Sequence, residues 1–264
     1  MSSIPTKVAS RLAEGIKKFQ PIVEMAKARD INESDTVVLM IDILSHVFGF
    51  DRYTDITTEH AIKGTYCDLA LKIEGKLKLL IEVKAIGIDL KDPHAKQAID
   101  YAANEGLEWV ILSNAIHWKV FKVVLNKSIQ PILICDIDFL GLKYRTQEDI
   151  EKMFVFTKEA INRSSLDQFY SQKQATSKFI LGNLIYTESI LNSIKKELRQ
   201  IFPDIKVQTD EIKKVLLDEV IKREIIEGDD SETAKRKIMK VYKKKEKMQI
   251  KDSQVVKIDV VNEG

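Results

Sequence analysis

Residues 66–85 read YCDLALKIEGKLKLLIEVKA, two apolar runs on either side of a Glu-Gly-Lys turn. Alternation at period two, β-branched and aliphatic residues and a central glycine predict a β-hairpin. Three charges, Asp68, Glu82 and Lys84, interrupt strands otherwise composed for burial. In a strand, residues two apart share a face, so Glu82 and Lys84 point one way while Ile81, Val83 and Ala85 point the other. With Glu74-Gly75-Lys76 as a three-residue loop, residue 73 faces 77 and, counting outward, Asp68 faces Glu82. Directly opposed residues of an antiparallel pair project to the same face, roughly 5 Å apart at Cβ. The three charges then converge, provided the loop is odd-numbered, because a one-residue slip would send Asp68 to the far side.

Two carboxylates that close repel each other unless a cation lies between them. Oxygen ligands without neighbouring His or Cys suit Mg²⁺ or Mn²⁺. Such an ion polarises a phosphate oxygen and acidifies a bound water. A lysine beside it can orient the water or neutralise charge developing on the phosphate. These parts suffice for phosphodiester hydrolysis. The competing reading is an ion cluster on a half-solvated sheet.

The flanking segments alternate in type. Residues 31–50, INESDTVVLMIDILSHVFGF, carry Val37, Ile41 and Leu44 at helical spacing and close on Gly49. Glu33 lies four before Val37 on the same row, and its place at the helix start makes capping an equal alternative to a functional role. Residues 52–85 then predict three strands. Residues 92–106, DPHAKQAIDYAANEG, return to helix, with Asp92 at the cap, Pro93 in the first turn and Gly106 at the end. Gln97 and Tyr101, four apart, share a face of this helix; they line a cleft or pack against the sheet. EWVILSN, HWKVFKVV and QPILICDI supply further strands. The fold class is therefore α/β, a mixed sheet flanked by helices with a C-terminal helical extension.

The expected organisation is a leading amphipathic helix in 1–30, with Pro21 as its point of breakage, an α/β domain in 31–142 and a helical region in 143–264. Thr146 is placed to cap a helix over EDIEKMFVFTKEAI. A long helix is expected over about 175–202, another near 210–227, and a basic one from about 230. Rows of Ile and Leu at spacing four in these helices need a partner surface, either the chain itself or a second copy. The 264 residues are 44% hydrophobic and 31% charged, enough for a sizeable core. From Lys235 to Lys251 nine basic residues stand against one acid, so a net +8 there leaves −6 for the rest of a chain of net +2. Lys235, Arg236, Lys237, Lys240, Lys243, Lys244 and Lys245 form either a nucleic-acid handle or a solvated helix face.

Two cysteines, Cys67 and Cys135, make no disulfide framework or metal pair, and Cys67 reads as packing. No signal peptide or apolar span stands out, which predicts a cytoplasmic protein without membrane partners. No G-x-x-x-x-G-K-[ST] stretch occurs, so neither ATP hydrolysis nor translocation is expected of this chain.

Asp68, then Glu82-Val83-Lys84, then Gln97-x-x-x-Tyr101, set in helix, strands, helix, strand, resembles the PD-(D/E)xK nuclease superfamily. Within it the chain is similar to the N-terminal nuclease domain of type I restriction enzyme R subunits (HsdR) and to related stand-alone restriction endonucleases. Residues 32–51 resemble the opening helix of that group, and LSNAIHWKVFKV resembles its later strand pair, with Asn114 and Trp118 in place of the group's Asn and Trp. Cys67 stands where the superfamily often has proline. The resemblance spans roughly residues 30–125. It implies a DNA endonuclease of restriction systems that uses Mg²⁺ or Mn²⁺. Asp68, Glu82 and the Val83 carbonyl would be metal ligands, Lys84 would serve the attacking water, and Gln97, Tyr101 and Glu33 would be supporting catalytic residues. DNA is the implied partner, with a homodimer or other defence subunits as further expectations. The alternative is a nuclease fold kept without catalysis, binding nucleic acid or recruiting a partner.

Overall fold

The computed structural model describes residues 4–62, 65–125 and 129–244. The chain divides into two compact units, residues 1–170 and 171–264. The first unit is a mixed α/β layer structure. Helices α1 (Thr6–Ala28) and α2 (Glu33–His46) precede strands β1 (Ile56–Ile62), β2 (Thr65–Ile73) and β3 (Lys76–Val83). Helix α3 (Asp92–Asn104) leads to β4 (Trp109–Ser113), β5 (His117–Leu125) and β6 (Ile129–Asp138). The strands lie in the order β1-β2-β3-β4-β5-β6. All neighbours are antiparallel except β3 and β4, which run parallel because α3 carries the chain back between them.

The hairpin between β2 and β3 differs from expectation at its tip. Ile73 faces Lys76, so the loop has two residues, Glu74 and Gly75, at φ 53° and 74°. Both positive values make a turn whose twist matches that of the strands, and glycine takes its position without steric cost. An even loop alone would have sent Asp68 to the wrong face. The register, however, shifts by one between Leu71 and Lys72: Lys72 faces Leu77 while Leu71 faces Leu79. Lys78 is the extra residue of this bulge, and beyond it Leu69 faces Ile81, the register an odd loop would have delivered.

The sheet buries both faces. Leu69, Leu71, Ile73, Leu79, Ile81 and Val83 share one core with Leu12, Ile16 and Phe19 of α1 and Met40, Ile43 and Leu44 of α2. On the other face Ala70, Leu80, Val110 and Leu112 meet Ala98, Ile99 and Ala102 of α3. Each fully buried aliphatic or aromatic side chain contributes about 1.5–3 kcal/mol. Helix α1 runs unbroken through Pro21, where a break was open on sequence grounds. An interior proline costs about 3 kcal/mol, and the burial of Val8, Leu12, Ile16, Phe19 and Val23 outweighs it. Arg11 fixes this helix to the rest of the unit. Its Nε donates to the Val47 carbonyl at 3.0 Å, and its Nη atoms donate to the Glu159 carboxylate at 2.9 and 2.7 Å.

Gly15 lies where α1 meets the end of α2; a Cβ there would stand 2.8 Å from both methyls of Val47. Alanine in a helix interior gains about 0.5–1 kcal/mol over glycine, but overpacking costs about 1–3 kcal/mol. Gly15→Ala is therefore expected to destabilise by about 1 kcal/mol, read as a lower denaturant midpoint. A higher midpoint would show that Val47 yields.

The helix expected after Thr146 is two helices, α4 (Gln147–Phe154) and α5 (Lys158–Asn162). Thr157 interrupts it, its hydroxyl accepting from Ala160 N as the cap of α5. Helix α6 (Ser165–Ala175) crosses the division between the units.

The regular elements in the described part of the second unit are all helices. The long helix expected over 175–202 is divided into α7 (Lys178–Ile185) and α8 (Glu188–Ile201) by Tyr186 and Thr187. The helix expected near 210–227 is likewise α9 (Thr209–Val215), a π-helical turn at Leu216–Val220, and α10 (Arg223–Ile226). Ile221 is extended, so the rows of Ile and Leu do not form one continuous face. A final helix, α11, covers 229–244. Gly182 of α7 lies against Ile225, and Asn183 donates to Ser231 of α11 at 3.0 Å. Among the described residues no helix is long and apolar enough to cross a membrane.

Candidate metal centre

The ends of β2 and β3 part at Asp68. Leu69, Leu71 and Ile73 pack in the α1–α2 core, yet Cys67 packs with Ile62 and Leu80 on the α3 side, so the strand turns over across Asp68. Opposite, Glu59 of β1 stands at φ 48° between the pairs Thr58–Leu69 and His60–Cys67. The Asp68 carboxylate thereby reaches β3 at its backbone: Val83 N donates to Asp68 Oδ2 at 2.7 Å. A shared pleat face was the expected route, and the strand turn supplies a different one. The N–H and C=O of one extended residue project to the same side, which places the Val83 carbonyl on the Asp68 side as well. On its other edge β3 stays paired. Glu82 faces Leu112, and Lys84 N donates to the Ser113 carbonyl at 2.9 Å.

Glu82 is 2% exposed. Its Oε1 accepts from Lys84 Nζ at 2.7 Å, and its Oε2 is buried with no hydrogen-bond partner. Lys84 Nζ also lies 3.8 Å from Glu33 Oε2. Burial drives the Glu82 carboxyl up to about 7 against the pull of the Lys84 hydrogen bond, and the Asp68 and Glu33 charges push with burial. Burial raises Asp68 too, opposed by the Val83 N–H and by Lys84. For Lys84, burial is the largest influence and acts downward, but the Glu82 hydrogen bond and the Glu82, Glu33 and Asp68 charges together raise it. The Cys67 thiol is pushed up to about 12, by burial first and then by Glu82 and Asp68, which makes it packing and not a nucleophile.

A buried carboxylate oxygen without a partner is costly. It fits a cation. Among the described residues no group of three or more His, Cys, Asp or Glu side chains is arranged to hold a metal. Asp68 and Glu82 with one backbone oxygen would leave much of an ion's shell to water, which suits Mg²⁺ or Mn²⁺ and not zinc.

Glu33 is the first residue of α2 and does not cap it. Asn32 does, its side chain accepting from Asp35 N at 2.9 Å. The Glu33 side chain is 49% exposed, at the start of α2 and 3.8 Å from Lys84 Nζ. Gln97 and Tyr101 share an α3 face as expected, but Gln97 Nε2 donates to Tyr101 Oη at 3.0 Å and neither bonds to Asp68, Glu82 or Lys84 among the described contacts. On α11, Arg236, Lys237, Lys240, Lys243 and Lys244 are exposed, while Lys235 is half-buried and pairs with Glu232 at 2.7 Å. Lys245 and the rest of the run to Lys251 lie outside the described residues.

Asn114 is the residue that the charge pattern did not single out. It is 3% exposed, and its Nδ2 donates to the Ile86 and Ile88 carbonyls at 3.2 and 2.9 Å. Its Oδ1 accepts from Ile116 N and His117 N at 3.2 and 2.7 Å. All four bonding positions of the amide are used, which fixes the segment leaving Lys84 against the β4–β5 turn. Trp118, fully buried, closes that turn by donating to the Ala115 carbonyl at 3.0 Å.

No protein-family model and no curated protein matches the chain. Among solved structures it is similar to the type IIG restriction endonuclease BpuSI, at 16% identity and a TM-score of 0.34, over 78% of this chain and 29% of that one. The chain thus spans under a third of that enzyme's length. At that TM-score the likeness bears no weight, and the reading of the site rests on its own geometry.

Proposed function

We propose that this chain is a Mg²⁺- or Mn²⁺-dependent DNA endonuclease that takes part in restriction of foreign DNA. The observation that carries the reading is Glu82: a carboxylate 2% exposed, with one oxygen on Lys84 and the other on nothing, beside a second carboxylate. A fold has little reason to bury such a group except for what it can bind. Asp68, Glu82 and the Val83 carbonyl would hold the ion, which when bound supplies Lewis acidity toward a phosphate oxygen and a more acidic water. The chain's own part is to fix both carboxylates at the parting of two strands and to keep an ammonium, Lys84, within reach of charge developing on the phosphate. The order of Asp68, Glu82-x-Lys84 and the helix after them, resembling the PD-(D/E)xK superfamily, supports DNA as the substrate and restriction as the setting.

The test is incubation of the full chain with supercoiled plasmid and with phage DNA in Mg²⁺, Mn²⁺ or EDTA, beside Asp68→Asn. Cleavage that needs the ion and disappears in the variant is the expected result. Cleavage in EDTA, or an unaffected variant, would defeat the metal reading.

A second reading, a nuclease fold that binds nucleic acid without cutting it, is favoured by one observation, the row of exposed basic residues on α11. Each phosphate contact on duplex DNA contributes about −0.9 to the slope of log K against log salt. Replacing Arg236, Lys237, Lys240 and Lys243 together by Gln is expected to flatten that slope by up to about 3.6, measured by fluorescence anisotropy with a DNA duplex. An unchanged slope would remove α11 from the DNA contact.

A further inference from the structure

We propose that Glu33 is the carboxylate that receives Lys84 when a divalent cation takes Lys84's place on Glu82; Glu33 is a positioning residue for the lysine and not a ligand of the ion. The inference rests on the metal centre proposed above. As the structure stands, the ammonium of Lys84 is the resident counter-ion of Glu82, 2.7 Å from Oε1 on a side chain only 14% exposed. A divalent cation bound to the same carboxylate would face that ammonium across a few ångströms of poorly solvated protein, where like charges repel strongly. An ion drawn to the partnerless Oε2 would loosen the ammonium's hold on Oε1 by repulsion, and the lysine's stem is long and rotatable enough to move while its attachment to β3 stays fixed.

Where it goes is set by what else lies within reach. Glu33 Oε2 is the second acid within ion-pair distance of Nζ, at 3.8 Å, too far for a hydrogen bond and close enough for a small swing to make one. Glu33 is well held for this. Asn32 caps α2, and the preceding residue, Ile31, accepts at its carbonyl from Ile86 N at 3.4 Å, tying the helix start to the segment just past Lys84. A carboxylate at the first position of a helix is favoured by the helix dipole, and the Glu33 side chain is half exposed. The same exposure argues against Glu33 holding the ion itself, since Glu82, the carboxylate with the partnerless oxygen, is 2% exposed. Moved to Glu33, the ammonium stays beside the site without competing for Glu82.

The experiment is Mn²⁺ binding to the full chain, read from the electron paramagnetic resonance of free Mn²⁺, without DNA or turnover. The forms compared are the wild type, Lys84→Met, Glu33→Gln, the double variant and Glu82→Gln. Lys84→Met is expected to bind about tenfold more tightly because the competing ammonium is gone, and Glu33→Gln about tenfold more weakly because the displaced ammonium has lost its acceptor. In the Lys84→Met background the Glu33 replacement is expected to change affinity less than about twofold, since no lysine remains to be received. Equal weakening in both backgrounds would make Glu33 a ligand and overturn the inference, as would a Lys84→Met protein that binds no more tightly than wild type. Lys84→Gln replaces Lys84→Met should the latter not fold. Failure of wild type to bind Mn²⁺, or binding unaffected by Glu82→Gln, would instead defeat the metal centre on which the inference rests.

Discussion

Replacing Lys84 by Ala is expected to slow metal-dependent DNA cleavage by about 10³-fold, the scale on which one preorganised charge acts at a developing oxyanion. The expectation follows from position. Among the described residues Lys84 Nζ is the one cation paired with Glu82; it is 14% exposed, and its backbone is fixed by the bond to Ser113 and by the segment that Asn114 holds. Nothing in the α1–α2 core or under α3 is made by this side chain, so the fold should survive its loss. The Glu82 carboxyl, already raised to about 7, can take up a proton when its counter-ion is removed, which limits the cost of leaving it buried. A variant with unchanged circular dichroism and about a thousandth of the rate would place Lys84 at the reacting phosphate. A folded variant that cuts as fast as the parent would remove the lysine from the chemistry, whatever the carboxylates do.

The charges in the hairpin were legible because burial and alternation make them conspicuous. Asp68, Glu82 and Lys84 stand out among Leu, Ile and Val, and the structure brings them together. The route was not legible. Whether a Glu-Gly-Lys tip makes a loop of two residues or three depends on which residues adopt positive φ, and the bulge at Lys78 and the turn of the strand at Asp68 are settled by packing on both faces of the sheet. Two differences compensated, and the same residues met. Glu33 illustrates a local ambiguity: Asn32 and Glu33 both suit a helix start, and only the observed bond from Asp35 N to Asn32 decides which one caps. Helix ends after residue 146 were misjudged for a related reason. Thr157 and Thr187 read as tolerable helix residues, yet the hydroxyl of each accepts or donates locally and marks a boundary. Asn114 carries no charge and falls at the end of an apolar strand, so the sequence marks it only through the resemblance, and its four bonds show what it holds.

Stability of the metal-free protein is expected to be greater at pH 5 than at pH 8 by an amount that Glu82→Gln removes, on the order of 3 kcal/mol. Unfolded, the Glu82 carboxyl has its ordinary value of 4.5; folded, burial holds it at about 7. Between those values the folded chain keeps a proton that the unfolded chain has lost, so unfolding releases a proton and stability falls as pH rises through the window. Below about 4.5 both states are protonated and above about 7 both are ionised, and the contribution is flat on either side. The separation of roughly two and a half pH units, at about 1.4 kcal/mol each, sets the size. Asp68, also raised, adds in the same direction from lower pH, while the raised Lys84 value acts only above 10.5, outside the window. Guanidinium denaturation in EDTA at both pH values, for wild type and Glu82→Gln, measures the difference directly. Wild type that instead loses stability on acidification relative to the variant would mean a carboxylate well paired in the fold, and the unpartnered oxygen that points to a cation would lose its meaning. With Mg²⁺ added at pH 8 the wild type should regain part of the deficit and the variant should not, because a cation that binds the folded, ionised carboxylate stabilises that state alone.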